Sequence, residues 1–153
     1  MTNIDWCKKQ KNGIELVEPN QDLGKAYIKK AEDSLSASLS LGNNKDWKIS
    51  SLYYTMYFSV YAVLMKIGIK CEIHSCTIAF AEVFLREYIT KDEIELLNKS
   101  MKARIDVQYY TNRNVSDSLY NEMIEKAPKF IARCKDIINK LTEKEIQEIR
   151  GKI

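Results

Sequence analysis

An all-α chain, folded as an up-and-down bundle of about five helices, is what this sequence predicts. Three observations carry that expectation. Only two prolines and five glycines punctuate 153 residues, leaving long stretches with no helix breaker. Within those stretches apolar residues recur with the roughly 3.6-residue period of an amphipathic helix. Residues suited to capping stand where the periodic segments begin and end.

The elements follow in order. Residues 1–20 read as an N-terminal extension, irregular or partly helical, that ends near Pro19-Asn20. A first helix is expected from about Gln21 to Leu41, with Ala26, Ile28, Ala31, Leu35, Leu39 and Leu41 on its apolar side and Gly42-Asn43-Asn44 closing it. The second helix, from about Asp46 to the residue before Gly68, is the most distinctive segment. Leu52, Tyr53, Met56, Tyr57, Val60, Val63, Leu64 and Ile67 cover one broad face, and Tyr54, Phe58 and Tyr61 another. A helix apolar on most sides is buried on most sides, by its own domain or by a partner chain. Its tyrosine hydroxyls need hydrogen-bond partners and are expected at the edges of the buried surface. A strand is excluded by length, since about twenty residues without punctuation far exceed one.

After a loop at 68–73, a third helix runs from His74 or Ser75 to Tyr88, with Ser75 as the expected N-cap. Thr90 and Glu93 form a capping box for a fourth, which reaches about Tyr110 with Ile94, Leu97, Met101, Ile105 and Tyr109 along one side. Ser116 opens a fifth that ends near Leu141, kinked or split at Pro128. Residues 21–142 thus make the bundle, and 143–153 a charged C-terminal helix or tail that is partly frayed. Short connections make successive helices antiparallel.

Composition excludes several function classes. With 45% apolar and 29% charged residues, neither a disordered chain nor a membrane protein fits. No apolar run reaches the roughly 18 residues of a bilayer span, and no secretory leader is visible, so a cytoplasmic location is expected. The net charge of +3 permits nucleic-acid contact without arguing for it, because basic and acidic residues mostly alternate. Cys71 and Cys76 bracket the single histidine, His74, but no second ligand pair accompanies them. A zinc site needs about four ligands, so no metal is expected, and Cys7, Cys71, Cys76 and Cys134 read as buried free thiols. No cofactor signature, phosphate loop or catalytic elbow is present. His74 reads as a packing or capping residue.

One segment has unusual texture: Lys102-Ala103-Arg104-Ile105-Asp106-Val107-Gln108-Tyr109-Tyr110. On a helix Arg104 and Gln108 are four apart, as are Asp106 and Tyr110, so the segment offers a guanidinium, a carboxylate and phenols. Arginine suits phosphate contact and tyrosine can stack on a base. The competing reading is a polar helix end whose Arg104 and Asp106 make pairs within the bundle.

The order and spacing of Ala31-Glu32-Asp33-Ser34-Leu35, Ser51-Leu52-Tyr53-Tyr54-Thr55-Met56-Tyr57, Gly68, His74-Ser75 and Arg104-Ile105-Asp106 resemble the HEPN superfamily (higher eukaryotes and prokaryotes nucleotide-binding), over about Asp22 to Leu141. The resemblance implies a five-helix bundle that often dimerises, with the arginine-bearing helices facing across a cleft. Active members are metal-independent RNases with an Arg-x4–6-His motif. Arg104 matches that arginine, but Tyr109 or Tyr110 stands where the histidine would be, and His74 lies thirty residues before Arg104. A phenol with a pKa of about 10 is a poor base at neutral pH. The resemblance therefore implies a nucleotide- or RNA-binding homodimer that partners a minimal nucleotidyltransferase in a toxin–antitoxin-like module, with weak or no nuclease activity. Arg104, Asp106, Gln108, Tyr109 and Tyr110 are its candidate ligand contacts, and Tyr109 or Tyr110 a candidate acceptor of AMP. Two alternatives stand beside it. One is an active RNase using Arg104 with Tyr109 or Tyr110, and the other a helical dimerisation scaffold with no ligand. Tyr53, Tyr54 and Tyr57 read as core and interface rather than as a ligand box.

Overall fold

A computed structural model describes residues 2–153. Its helices are α1 (Ile4–Lys9), α2 (Gln21–Ser40), α3 (Lys45–Ile67), α4 (His74–Phe84), α5 (Lys91–Tyr109), α6 (Asp117–Lys140) and α7 (Glu143–Arg150). All five predicted helices are present, flanked by a short one at each end. Two further two-residue strands, β1 (Glu15–Leu16) and β2 (Ile69–Lys70), pair antiparallel. No helix among the described residues is long and apolar enough to cross a membrane.

The aromatic α3 is the axis of the molecule, and α2, α4, α5, α6 and α7 all pack against it. Leu52, Tyr53, Met56, Val60, Val63, Leu64 and Ile67 are almost fully buried, as are the small polar residues Thr55 and Ser59, whose hydroxyls donate to carbonyls one turn back. The chain's own helices thus cover most of α3, with no partner required. The closest approach is to α2. A Cβ on Gly24 would stand 3.0 Å from the Ala62 carbonyl oxygen, so a side chain there would fit only if the two backbones moved apart by a few tenths of an ångström.

Helix starts follow the chain's cap chemistry, with one exception. Thr90 and Thr142 each complete a capping box, and Asn20, Asn44 and Ser116 accept from amides three residues on. Ser75, by contrast, is not an N-cap. The helix begins at His74, two residues before a Ser75 cap would start it, and its N-cap Ile73 offers no side-chain acceptor. Pro128 lies within α6 and does not divide it.

Two predicted stripes are displaced. On α2 the inward residues are Gly24, Ile28, Ala31, Leu35 and Ser38, whereas Leu39 is 78% exposed and Ala26 also faces water. On α5 the buried line is Ile94, Leu96, Leu97, Ser100 and Ala103, so Tyr109 falls outside it. In both helices a small residue sits where the neighbour is close, and an apolarity count overlooks small residues.

Neither end is loose. Ile146 and Ile149 of α7 are buried, and Arg150 Nη1 donates to the Val17, Ile67 and Gly68 carbonyls at 2.8, 3.1 and 2.9 Å. That guanidinium closes the C-terminus of α3, where Gly68 takes the left-handed conformation (φ 86°) that ends the helix. At the other end, α1 lies on α4 and brings Cys7 and Cys76 to a Cα separation of 5.6 Å, where they form a disulfide. This corrects the expectation of four free thiols. Cys71 and Cys134 remain free and buried.

Candidate functional site

Chemistry gathers where α3, the start of α4 and the second half of α5 meet. A four-residue spacing along α3 places Tyr53, Tyr57 and Tyr61 in one ladder, with Tyr54 and Phe58 beside it. Stacked neighbours at 5.7 and 5.9 Å make the ladder continuous. Its hydroxyls all reach the segment 71–77. Tyr53 Oη lies 2.8 Å from His74 Nδ1 and Tyr57 Oη 3.2 Å from Thr77 Oγ1, while Tyr61 Oη accepts from the Cys71 amide. These hydroxyls do find partners, all on this one segment, but within the core and not at its edge: Tyr53, Tyr57, Thr77 and Cys71 are buried.

His74 is held on two sides. Its ring stacks on Tyr57 at 4.1 Å and an angle of 13°, and Nδ1 is tied to Tyr53. Burial, and secondarily the charge of Arg104, depress its pKa below the usual 6.5, so the imidazole is neutral at pH 7. Burial likewise pushes the Tyr53 and Tyr57 phenols far above their usual range, and both stay protonated.

Arg104 approaches from α5. It follows Leu97 and Ser100 on the inward side of that helix, which is why a charged residue ends up half-buried. Its guanidinium lies 5.1 Å from the Tyr53 ring centre and 5.6 Å from that of Tyr54. Nη1 donates to Gln108 Oε1 at 3.0 Å and reaches Tyr54 Oη at 3.4 Å, while Nε is buried with no hydrogen-bond partner. Ser100 Oγ, one turn earlier, is also buried without a partner. Among the described residues no carboxylate lies within ion-pair distance of Arg104. His74 and Arg104 therefore flank the same two rings, His74 at 5.9 and 6.1 Å from the centres of Tyr53 and Tyr54.

The structure divides the predicted set of residues. Arg104 and Gln108 come together. Asp106 does not join them, because two residues on a helix turn about 200° away. It pairs instead with Arg113 at 2.9 Å, and the Arg113 guanidinium sits 3.5 Å from the Tyr110 ring centre. Tyr109 is 66% exposed and has no recorded bond to Arg104. His74 was read as a packing or capping residue. It does pack, and it also reaches the Arg104 site. Its place there could not be read from a helix wheel, because the two residues belong to different helices. The one available signal was the tyrosine ladder, which had to find partners somewhere. No group of three or more His, Cys, Asp or Glu side chains positioned to hold a metal ion occurs among the described residues.

The comparisons agree with this architecture. A family model described as HEPN domain matches residues 25–137. The protein named Putative toxin MJ0142, from Methanocaldococcus jannaschii, is 28% identical over 115 residues, covering 71% of this chain and 76% of that protein. The matched span begins within α2 and ends within α6, so it includes the tyrosine ladder, His74 and Arg104, and this chain belongs to the HEPN domain family.

Proposed function

We propose that this chain is a nucleotide- or RNA-binding HEPN protein that holds a phosphate group at Arg104 and has little or no nuclease activity of its own. The observation that carries the reading is Arg104 itself. A half-buried guanidinium with an unpartnered Nε and no carboxylate in reach is costly in a folded protein, and a ligand anion offsets that cost. Gln108 fixes one side of its fork, and Tyr54 and Phe58, half-buried and stacked at 5.4 Å, offer aromatic surface for a base beside the phosphate. The name of the archaeal relative supports a toxin-like setting. In that setting the chain acts as a homodimer with a minimal nucleotidyltransferase partner, and Tyr109 or Tyr110 is a surface acceptor for AMP.

The RNase alternative needs Tyr109 or Tyr110 to act beside Arg104. Tyr110 is engaged by Arg113 and Tyr109 points to solvent, so the geometry favours binding over cleavage. The deciding experiment is a fluorescence titration of purified protein with labelled AMP and a short single-stranded RNA. Arg104→Ala should weaken binding at least tenfold, as loss of a charge-assisted hydrogen bond of about 1.5–3 kcal/mol requires. Unchanged affinity would refute the reading, and Arg104-dependent RNA cleavage would replace it with the RNase.

A further inference from the structure

The Tyr53–His74 bond can run in either direction, and the surroundings decide which. Tyr53 is fully buried, and among the described residues His74 Nδ1 is its hydroxyl's only hydrogen-bond partner. If Nδ1 carried the proton and donated, the phenolic proton would be left in the core with no acceptor, which costs about 1–3 kcal/mol. If Tyr53 donates to Nδ1 instead, both the phenol and Nδ1 are satisfied. The imidazole proton then resides on Nε2, the nitrogen that makes no hydrogen bond among the described residues. A neutral imidazole with a proton on Nε2 is a donor at that atom, not a base.

Building on the phosphate-binding reading of Arg104, we propose that His74 is the second anion-binding residue of that site, an imidazole confined by Tyr53 to the Nε2–H form that donates to a nucleotide phosphate oxygen. Arg104 and His74 approach from different helices against the same pair of rings, and the charge of Arg104 is felt at the imidazole, so the site offers a charged donor from α5 and a neutral one from α4. The groups facing His74 are Tyr53, Tyr54 and Tyr57 from α3 and Arg104 from α5, and none is a carboxylate. No competing anion therefore occupies the donor. The tautomer also explains why a histidine beside the arginine need not make a nuclease. In the resting site Nε2 has no lone pair with which to take a hydroxyl proton.

The test uses three probes, inorganic phosphate, AMP and an RNA oligonucleotide lacking terminal phosphates, which separate a free phosphate, a monoester and a diester as the source of the anion. His74→Ala should weaken the bound probe tenfold to thirtyfold, in line with one hydrogen bond to an anion. His74→Gln, whose amide nitrogen falls near the position of Nε2, should recover most of that loss, and His74→Asn, which mimics the Nδ1 side, should not. Because the chain has one histidine, nitrogen-15 spectra of the wild-type imidazole read the tautomer directly even if a variant misfolds. The expected state at pH 7.5 is protonated Nε2 and unprotonated Nδ1, with the Nε2 signal moving on addition of the probe. A proton found on Nδ1, or His74→Ala and His74→Gln both binding like wild type while Arg104→Ala does not, overturns this inference and leaves the Arg104 reading standing. Wild-type binding by Arg104→Ala overturns that reading instead.

Discussion

Breaking the Cys7–Cys76 disulfide should be the most destabilising single change at the N-terminal end. The bond joins residues 69 apart in sequence, one on α1 and one in the first turn of α4. In the chain-entropy description, a closed loop of that size removes enough freedom from the unfolded chain to contribute about 4 kcal/mol. The other anchorage of residues 2–20 is largely backbone hydrogen bonding, from Val17 N to the Gly68 carbonyl, Asn20 N to that of Met65 and Glu72 N to that of Asn12, with Arg150 on the Val17 carbonyl. Cys7 and Ile14 are their buried anchors, and the β1–β2 pairing is only two residues long. For a chain of this length about 4 kcal/mol corresponds to a fall in melting temperature of about 8–16 °C. Thermal melts of the oxidised protein, the protein in reductant and Cys7→Ala should show the last two alike and well below the first. Counting reactive thiols in denaturant without reductant supplies the independent check. Two thiols, Cys71 and Cys134, should react. Four reactive thiols, or a melting shift below about 2 °C, would refute the reasoning. Since Tyr53 and Tyr57 also hold the first turn of α4, ligand affinity at temperatures where the reduced chain is folded should change far less than stability.

Two further outcomes are expected. Arg150→Ala removes the shared donor of three carbonyls and should cost about 2 kcal/mol, read as a lower urea midpoint with an unchanged slope, while Arg150→Lys should recover part of it. The depressed pKa of His74 means that the unfolded chain, at about 6.5, takes up a proton before the folded one. The contribution of His74 to stability is therefore complete above pH 6.5 and is lost as pH falls below it toward the folded value. Urea midpoints of His74→Gln should be flatter than those of wild type between about pH 6.5 and 5, and parallel curves would show that the environment of His74 does not disfavour its charge.

The helices were legible because periodicity and capping are local. Thr90 with Glu93, and Ser116, start their helices where side-chain chemistry alone places them. What was illegible is non-local or depends on small residues. The pairing of Cys7 with Cys76 rests on α1 docking against α4, which no spacing announces. The α2 stripe includes Gly24 and Ser38, invisible to an apolarity count, and excludes Leu39. Around Arg104 one of the two expected pairs four residues apart forms, Arg104 with Gln108, whereas Asp106 turns away from both and pairs with Arg113, a residue beyond the end of α5. The capping of Ser75 failed for a related reason. The helix start is set two residues earlier, where His74 reaches Tyr53 and stacks on Tyr57, and tertiary contact outweighs a cap preference of about 1 kcal/mol.

The aromatic helix therefore cannot be assigned to the core or to the site alone. Tyr53 is fully buried, yet its ring supports the Arg104 guanidinium and its hydroxyl selects the proton position on His74. Phenylalanine there would fill nearly the same volume and keep the stacking, so packing by itself does not require the hydroxyl. The same holds one turn on, where the Tyr57 hydroxyl does no more for packing than Phe58 does without one, but ties Thr77 to α3. A ladder of three tyrosines whose hydroxyls all end on residues 71–77 holds the segment carrying His74 in a single arrangement against α5. Anchoring of that kind is what a donor pair spread over two helices needs, because an anion bridging Arg104 and His74 gains from both only if their separation is set before it arrives.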